Sequence, residues 1–378
     1  MRKKHIKGMA LAAAAVLGLA ACGGDSSTTE ETTAPEETTE VTEGEDYSNL
    51  KVAVVYIGVP GDEGWTYQHE IGIQQLESEL GIEVTRLENI PEGAESTATF
   101  DQLARDGYNL IIGTSFGYMD PMLETAGKYP DACFQHASGY KTAENMGNFF
   151  GAMEEARYLS GIAAAKASPT GKLGYVAAFP IPEVIRGINA FTLGAQSVNP
   201  DATVQVTWTK TWFDPTLEKE AAEALLDAGV DVLAQHQDTT AAGLAADARG
   251  AKWVGYNSDV SEAAPNAWLT APTWNWGPFY VETAKAVAGG TCPNAEYYGS
   301  MADGMVTLGS FGSSVDADTQ AMINEKAAAI IDGSFAPFEG PVMDQDGKEV
   351  VAAGTRPELL DLLGMSYFVK GVIGSPQG

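Results

Sequence analysis

The chain has 378 residues, with 22 Lys and Arg against 51 Asp and Glu, for a formal net charge of −29. So acidic a surface repels the phosphates of nucleic acid and the headgroups of anionic lipid, which excludes a nucleic-acid partner and membrane binding through charge. The length leaves room for a body of two lobes of ordinary domain size.

At the N-terminus, Met1-Arg-Lys-Lys-His-Ile-Lys7 precedes an apolar, alanine-rich stretch from Met9 to Ala21. A basic start and a short apolar core read as a secretory signal peptide over residues 1–21. The apolar run is short for a permanent membrane span. It ends in Leu19-Ala20-Ala21-Cys22-Gly23, similar to a bacterial lipobox, which implies cleavage before Cys22 and lipid on its thiol. From Gly23 to Asp46 the chain is rich in Thr, Ser and Glu and holds no Lys or Arg. Such a segment cannot bury enough apolar surface to offset its ordering entropy, so residues 22–48 read as a lipidated cysteine and a disordered tether. The expected location is extracytoplasmic, with the membrane reached through the lipid.

From Leu50 short β-branched runs alternate with helical patterns. Lys51–Ile57 is a near-continuous apolar run, as expected of a strand buried on both faces. Ile73, Leu76 and Leu80 recur at helical spacing before Gly81. Strands at 82–87, 109–112 and 133–135 alternate with helices near 96–105 and 120–128. A long alanine-rich helix is expected over 151–167. The pattern then restarts, with strands at 172–177, 203–208, 230–234 and 252–256 and helices between them. Further elements are expected near 278–288, 297, 306 and 317–332. Alternation of this kind implies parallel βαβ units, and its restart implies an α/β clamp of two Rossmann-like, doubly wound lobes. The expected division is lobe 1 over 49–160, lobe 2 over 161–268, a return to lobe 1 over 269–320, and completion of lobe 2 over 321–378.

Cys133 lies in an apolar run and Cys292 in a Gly/Pro loop. Their spacing fits no metal motif; in an oxidising compartment they can pair, with separate buried thiols as the default. The histidines show no ligand-like grouping, and no metal or cofactor is expected. Motifs for a nucleophile elbow, a phosphate loop, a dinucleotide fold or a zinc protease are missing, so an enzyme is not expected. Asp62 and Glu63 precede a helix start, where negative charge is favoured. Glu154 and Glu155 read as a solvated helix face.

Ligands of open parallel sheets bind beyond the carboxyl ends of the strands. Those positions carry Trp65 and Tyr67, Ser115 and Phe116, Phe179-Pro180, Trp212 and Asp214, Gln237 and Asp238, Asn257 and Asp259, then Trp274 and Trp276. Five of the seven tryptophans stand in or beside these segments: Trp65, Trp208, Trp212, Trp274 and Trp276. Aromatic faces stack on planar ligands, and neighbouring amides and carboxyls read a ring edge, so the set points to a flat heterocycle.

Residues 49–372 resemble the basic membrane protein family of substrate-binding lipoproteins that serve ABC importers. The resemblance rests on Gly61-Asp-Glu-Gly-Trp-Thr-Tyr67, Gly113-Thr-Ser-Phe-Gly117, Glu155-Ala-Arg-Tyr-Leu-Ser-Gly161, Trp212-Phe-Asp-Pro215, Gly255-Tyr-Asn-Ser-Asp259 and Trp274-Asn-Trp-Gly-Pro278. It implies a type I periplasmic-binding-protein clamp, a purine-type ligand and a permease partner, with the protein a monomer. In the nucleoside branch a Phe stacks on the base where this chain has Trp65, and an Asp and a Lys hold the ribose where it has Asn257 and Trp274. The departure at both sugar positions resembles the free-base branch, with adenine or a related base as the expected ligand. Stacking on Trp65 would be followed by hinge closure, which adds Trp212 and polar groups from Gln237, Asp238, Asn257 and Asp259. A ligand-sensing receptor for a membrane kinase and a surface purine-nucleoside hydrolase stand as alternatives.

Overall fold

Parallel strands joined by helices must hide both faces of their sheet, and the chain does this twice. The computed structural model describes residues 46–378. The expected leader, Cys22 and the tether up to residue 45 lie outside the described residues. The first series runs β1 (Val52–Val55), α1 (Trp65–Leu80), β2 (Val84–Leu87), α2 (Thr97–Arg105), β3 (Leu110–Gly113), α3 (Met119–Ala126), β4 (Cys133–Ala137) and β5 (Met146–Gly151). After α4 (Met153–Ala167) come β6 (Lys172–Ala177), α5 (Pro182–Val198), β7 (Thr203–Trp208), α6 (Pro215–Asp227), β8 (Val232–His236), α7 (Ala241–Arg249), β9 (Lys252–Val254) and β10 (Trp268–Thr270). The chain returns through β11 (Pro272–Trp274), α8 (Gly277–Ala288), β12 (Glu296–Gly299) and β13 (Val306–Leu308). It ends with α9 (Ala317–Ile331), β14 (Val342–Met343), β15 (Glu349–Val351), α10 (Leu359–Leu363) and β16 (Val372–Ile373).

The first sheet has the order β12-β5-β4-β3-β1-β2 and the second β10-β9-β8-β6-β7-β16, with every pairing parallel. Each sheet is therefore closed at one edge by a strand from the returning chain. The antiparallel ribbon β11–β13 follows both series in sequence and pairs Trp274 with Val306. These facts establish the two-lobed α/β clamp. Helix α4 runs unbroken through residues 160 and 161, and β10 through 268 and 269.

Helix α4 lies against α5 at backbone distance. A Cβ on Gly161 would stand 2.0 Å from the carbonyl oxygen of Phe191, and one on Gly194 would stand 1.9 Å from that of Tyr158. Only glycine permits this approach. Glu154 is not a solvated residue: it is 5% exposed and accepts hydrogen bonds from Tyr298 Oη (2.8 Å) and Arg186 Nε (3.2 Å). A buried carboxylate needs such partners, and α5 and β12 supply them. Glu155 holds the returning chain by accepting from the Met301 N–H (2.7 Å), and burial, with Glu154 and Asp303 nearby, pushes its carboxyl up to about 7.

Cys133 and Cys292 form a disulfide, with Cα atoms 5.4 Å apart and a sequence separation of 159. It ties β4 to the segment that precedes β12, so the edge strand is held covalently as well as by its ladder.

Candidate functional site

The loop after β1 is built around one carboxylate. Asp62 accepts from the N–H groups of Gly64, Thr66 and Tyr67, each at 2.9 Å, and so caps the N-terminus of α1. The cap places Trp65 as the first helical residue, where its Nε1 donates to the Thr114 carbonyl over 2.6 Å. Ser115 follows, with Oγ donating to Glu92 Oε1 (2.6 Å) and its carbonyl accepting from His136 Nε2 (2.8 Å). Trp65 is thus pinned at the end of the first sheet between the loops after β1 and β3.

Behind Trp65 stands an aromatic stack. Trp276 lies between His69 (4.6 Å, 17°) and Trp274 (4.4 Å, 20°). Trp65 meets all three rings edge-on, at 4.3 Å for His69, 5.7 Å for Trp276 and 5.9 Å for Trp274. Edge-to-face packing of this kind stiffens the indole that the cavity sees.

The second lobe faces it across a cavity. Ile57, Trp65, Ser115, Phe116 and Ser138 line it from the first lobe; Glu183, Trp212, His236, Asp238 and Tyr256 line it from the second. The lobes touch at its rim. Ser258 Oγ donates to the Glu63 carbonyl, and a Cβ on Gly64 would stand 2.5 Å from the Asp238 carbonyl oxygen. This is a clamp closed on its cavity.

Two carboxyls in the cavity have opposite surroundings. Asp238 is pushed well above the usual carboxylate range by burial, then by the Asp62 and Glu218 carboxyls. Its Oδ1 accepts from Asn257 Nδ2 (2.9 Å), whose own Oδ1 accepts from Trp274 Nε1 (2.9 Å). Burial also pushes Glu183 up, but His236, Arg186 and Arg157 outweigh it and hold the carboxyl below its usual value. Glu183 Oε1 lies 3.1 Å from His236 Nε2. The guanidinium of Arg157 lies 3.7 Å from the centre of the Tyr256 ring. The walls therefore carry a carboxyl whose charged form burial disfavours, a carboxylate, and the ring of Trp212, whose Nε1 is buried without a protein partner. Such a set is chemically suited to a flat ligand that carries both donors and acceptors.

Of the residues expected from the sequence, Trp65, Ser115, Phe116, Trp212 and Asp238 meet in this cavity. Tyr67 is 38% exposed and sits on the outer rim with Asp259, whose Oδ2 accepts from the Ser310 N–H (2.6 Å). Asp214 caps α6, accepting from the Thr216 and Leu217 N–H groups at 3.0 Å. Gln237 is buried and donates to Thr209 Oγ1 (2.5 Å). Neither Trp274 nor Trp276 lines the cavity; they are 3% and 1% exposed and back Trp65 from behind. Asn257 is buried between Trp274 and Asp238. Trp208 stacks on Phe368 at 6.2 Å and donates to the Ser375 carbonyl, away from the site. Glu183, His236 and Tyr256 were not among the expected residues. A helix-start signal, Pro182-Glu183 directly after a strand, was available for the first of them. Among the described residues no group of His, Cys, Asp or Glu is gathered to hold a metal.

A purine-binding protein of Brucella abortus (strain 2308) is 47% identical over 325 residues, covering 85% of this chain and 93% of the relative. A Haloferax volcanii protein whose name assigns it provisionally to glucose binding in an ABC transporter is 37% identical over 355 residues, 91% of this chain and 88% of its own. A solved structure of an ABC transporter solute-binding protein from Aeropyrum pernix K1 superimposes with a TM-score of 0.68 at 21% identity, over 76% of this chain and 92% of that one. The profile of the Bmp family, described as ABC transporter substrate-binding protein PnrA-like, matches residues 49–338. With that match across most of the folded body, the chain belongs to the Bmp family of ABC transporter substrate-binding proteins, which bind their substrates and are not enzymes.

Proposed function

We propose that this protein captures a free purine base, adenine or a close relative, outside the cytoplasm and presents it to the permease of an ABC importer. It does so as a monomer held at the membrane by a lipid on Cys22. The observation that carries the ligand class is the bond between Trp274 Nε1 and Asn257 Oδ1, 2.9 Å long and buried. In the nucleoside branch these two positions hold the ribose. In this chain they satisfy each other, which supports a ligand without a ribose, while the adjoining cavity keeps its aromatic walls.

The name of the Brucella abortus relative supports the purine reading. Trp65 and Phe116 on one lobe and Trp212 on the other supply flat surfaces for a heterocycle. Asp238, whose charged form burial disfavours, would when protonated offer a donor beside an acceptor, which complements the amino group and ring nitrogen of adenine. Closure of the second lobe excludes water and strengthens these bonds.

Titration calorimetry with adenine, hypoxanthine, adenosine and glucose tests the proposal. Adenine or hypoxanthine is expected to bind at least tenfold more tightly than adenosine. Glucose is included because of the Haloferax volcanii relative. Tighter binding of adenosine, or binding of glucose alone, would sink the reading.

A further inference from the structure

Glu183 is the one cavity carboxyl whose surroundings keep it an acceptor. Arg157 Nη1 donates to the Gln235 carbonyl (2.8 Å), and its Nη2 reaches His236 Nδ1 at 3.4 Å. A guanidinium only donates, so His236 Nδ1 is the accepting nitrogen and the ring proton sits on Nε2. That proton points at Glu183 Oε1, 3.1 Å away. Both nitrogens of His236 are thus engaged within the protein. The imidazole orients the carboxylate and reads nothing itself, which makes it a positioning residue.

The carboxylate is held ionised in two further ways. Glu183 stands in the first turn of α5, where the helix dipole favours negative charge. Arg186 and Arg157 add positive charge nearby. Its side chain is 14% exposed, and it lines the cavity. A buried carboxylate facing a ligand requires an N–H or O–H to complete its shell.

We infer that Glu183 is the residue that selects a free base, by accepting a hydrogen bond from the imidazole-ring N–H that glycosylation at N9 removes. The inference rests on the purine reading above. A free purine carries one proton shared between N7 and N9; a nucleoside has a sugar carbon at N9 and no N–H on that ring. Docked with its five-membered ring toward Glu183, a nucleoside would bring a C–N bond and a ribose against a carboxylate pinned by His236. The base would keep its amino and ring-nitrogen edge for the donor and acceptor atoms of Asp238 and Trp212.

Calorimetric titration of the native protein and of Glu183→Gln with adenine and 9-methyladenine separates this from simple bulk. Capping N9 is expected to weaken binding to the native protein by about 10- to 100-fold, the range for a lost hydrogen bond to a charged group. In Glu183→Gln the same cap is expected to cost about threefold or less, because the charged acceptor is already gone. Equal ratios in the two proteins overturn the inference and leave the purine reading standing. Native protein that binds both compounds equally overturns it whatever the variant does. Native protein that binds neither compound overturns this inference, and if it does not bind hypoxanthine either, the purine reading falls with it. If circular dichroism shows that Glu183→Gln does not fold, Glu183→Asp replaces it. Drawing the charge back by one methylene is then expected to shrink the penalty for the cap, and an unchanged penalty overturns the inference.

Discussion

Trp274 and Asn257 fix each other's orientation: the indole Nε1 donates to Asn257 Oδ1 over 2.9 Å, and the same amide donates from Nδ2 to Asp238 Oδ1 over 2.9 Å. An indole N–H can only donate, so the amide has a single orientation and delivers its N–H₂ to Asp238. Asn257 also sits at φ +69°, a left-handed backbone that asparagine tolerates better than most residues. The relay connects the tryptophan backing of the first lobe to a carboxyl in the wall of the cavity.

Replacing the amide by an acid breaks this relay at one atom. Asn257→Asp would set two carboxyls against each other in a buried site, where they cannot both ionise. The variant is expected to lose about 3–5 kcal/mol of stability at pH 8, the range for an uncompensated buried charge, and less at pH 5. The direction follows from linkage: acids whose folded pKa is raised lose stability as pH climbs above the unfolded value. Urea unfolding at the two pH values checks this; a loss independent of pH would remove the carboxyl pair from the explanation.

Asp238 itself carries a related prediction. Burial, with Asp62 and Glu218 nearby, raises its pKa well above 3.8, so this group favours the folded state most below that value and progressively less above it. Asp238→Asn keeps the acceptor for Asn257 and replaces the acid O–H by an amide N–H. The variant is expected to be more stable than the native protein at pH 7 and to lose that advantage near pH 4. Adenine affinity at pH 7 is expected to stay within about threefold, because donor and acceptor are both conserved. Loss of binding by a factor of about 100 would mean that an ionised Asp238 holds the ligand.

The βα rhythm that creates these strand ends was legible because buried parallel strands are apolar on both faces and their helices are amphipathic. Strand β5 was not, since Gly147 and Gly151 interrupt its apolar run and glycine carries no strand signal of its own. Gly147 is needed there: a Cβ would stand 2.6 Å from the Pro293 carbonyl oxygen on the returning chain, a neighbour 146 positions away that no local pattern announces. At the site, the strand-end rule found Trp65, Phe116 and Trp212. It passed over Glu183 because the strand-end segment considered there ends at Pro180, while Glu183 lies in the first turn of α5, which begins at Pro182. It favoured Asn257 over Tyr256, yet successive side chains at a strand end point opposite ways, and here the tyrosine takes the cavity. Tryptophan identity also cannot say which ring faces a ligand and which lies behind it, and Trp274 and Trp276 lie behind.

Closure of the clamp depends on Gly64. In the closed form a Cβ at this position would lie 2.5 Å from the carbonyl oxygen and 2.8 Å from the Cα of Asp238. Both neighbours are backbone and belong to the other lobe, so neither can rotate aside. Gly64→Val is expected to remain open, with a larger radius of gyration by small-angle scattering in saturating ligand. Its affinity would fall by about 100-fold or more, since only the fraction that can close binds fully. A variant that closes and binds like the native protein would show that the rim contact is not required.

Trp212 separates ligand recognition from stability. Its ring packs on Phe179 at 5.0 Å, while its Nε1 is buried without a protein partner. An unpaired buried donor costs the folded protein about 1–3 kcal/mol unless something accepts from it. Trp212→Phe keeps an aromatic wall and deletes that donor. The unliganded variant is expected to be as stable as the native protein or slightly more so, whereas adenine affinity falls by about tenfold for one lost hydrogen bond. Trp65→Phe provides the contrast. The Nε1 of Trp65 already donates to the Thr114 carbonyl, so that change is expected to lower stability as well as affinity. Thermal unfolding without ligand and calorimetry with adenine, run on both variants, give the comparison. If Trp212→Phe lowers stability and leaves affinity unchanged, its indole nitrogen serves the fold and the ligand takes its hydrogen bonds elsewhere.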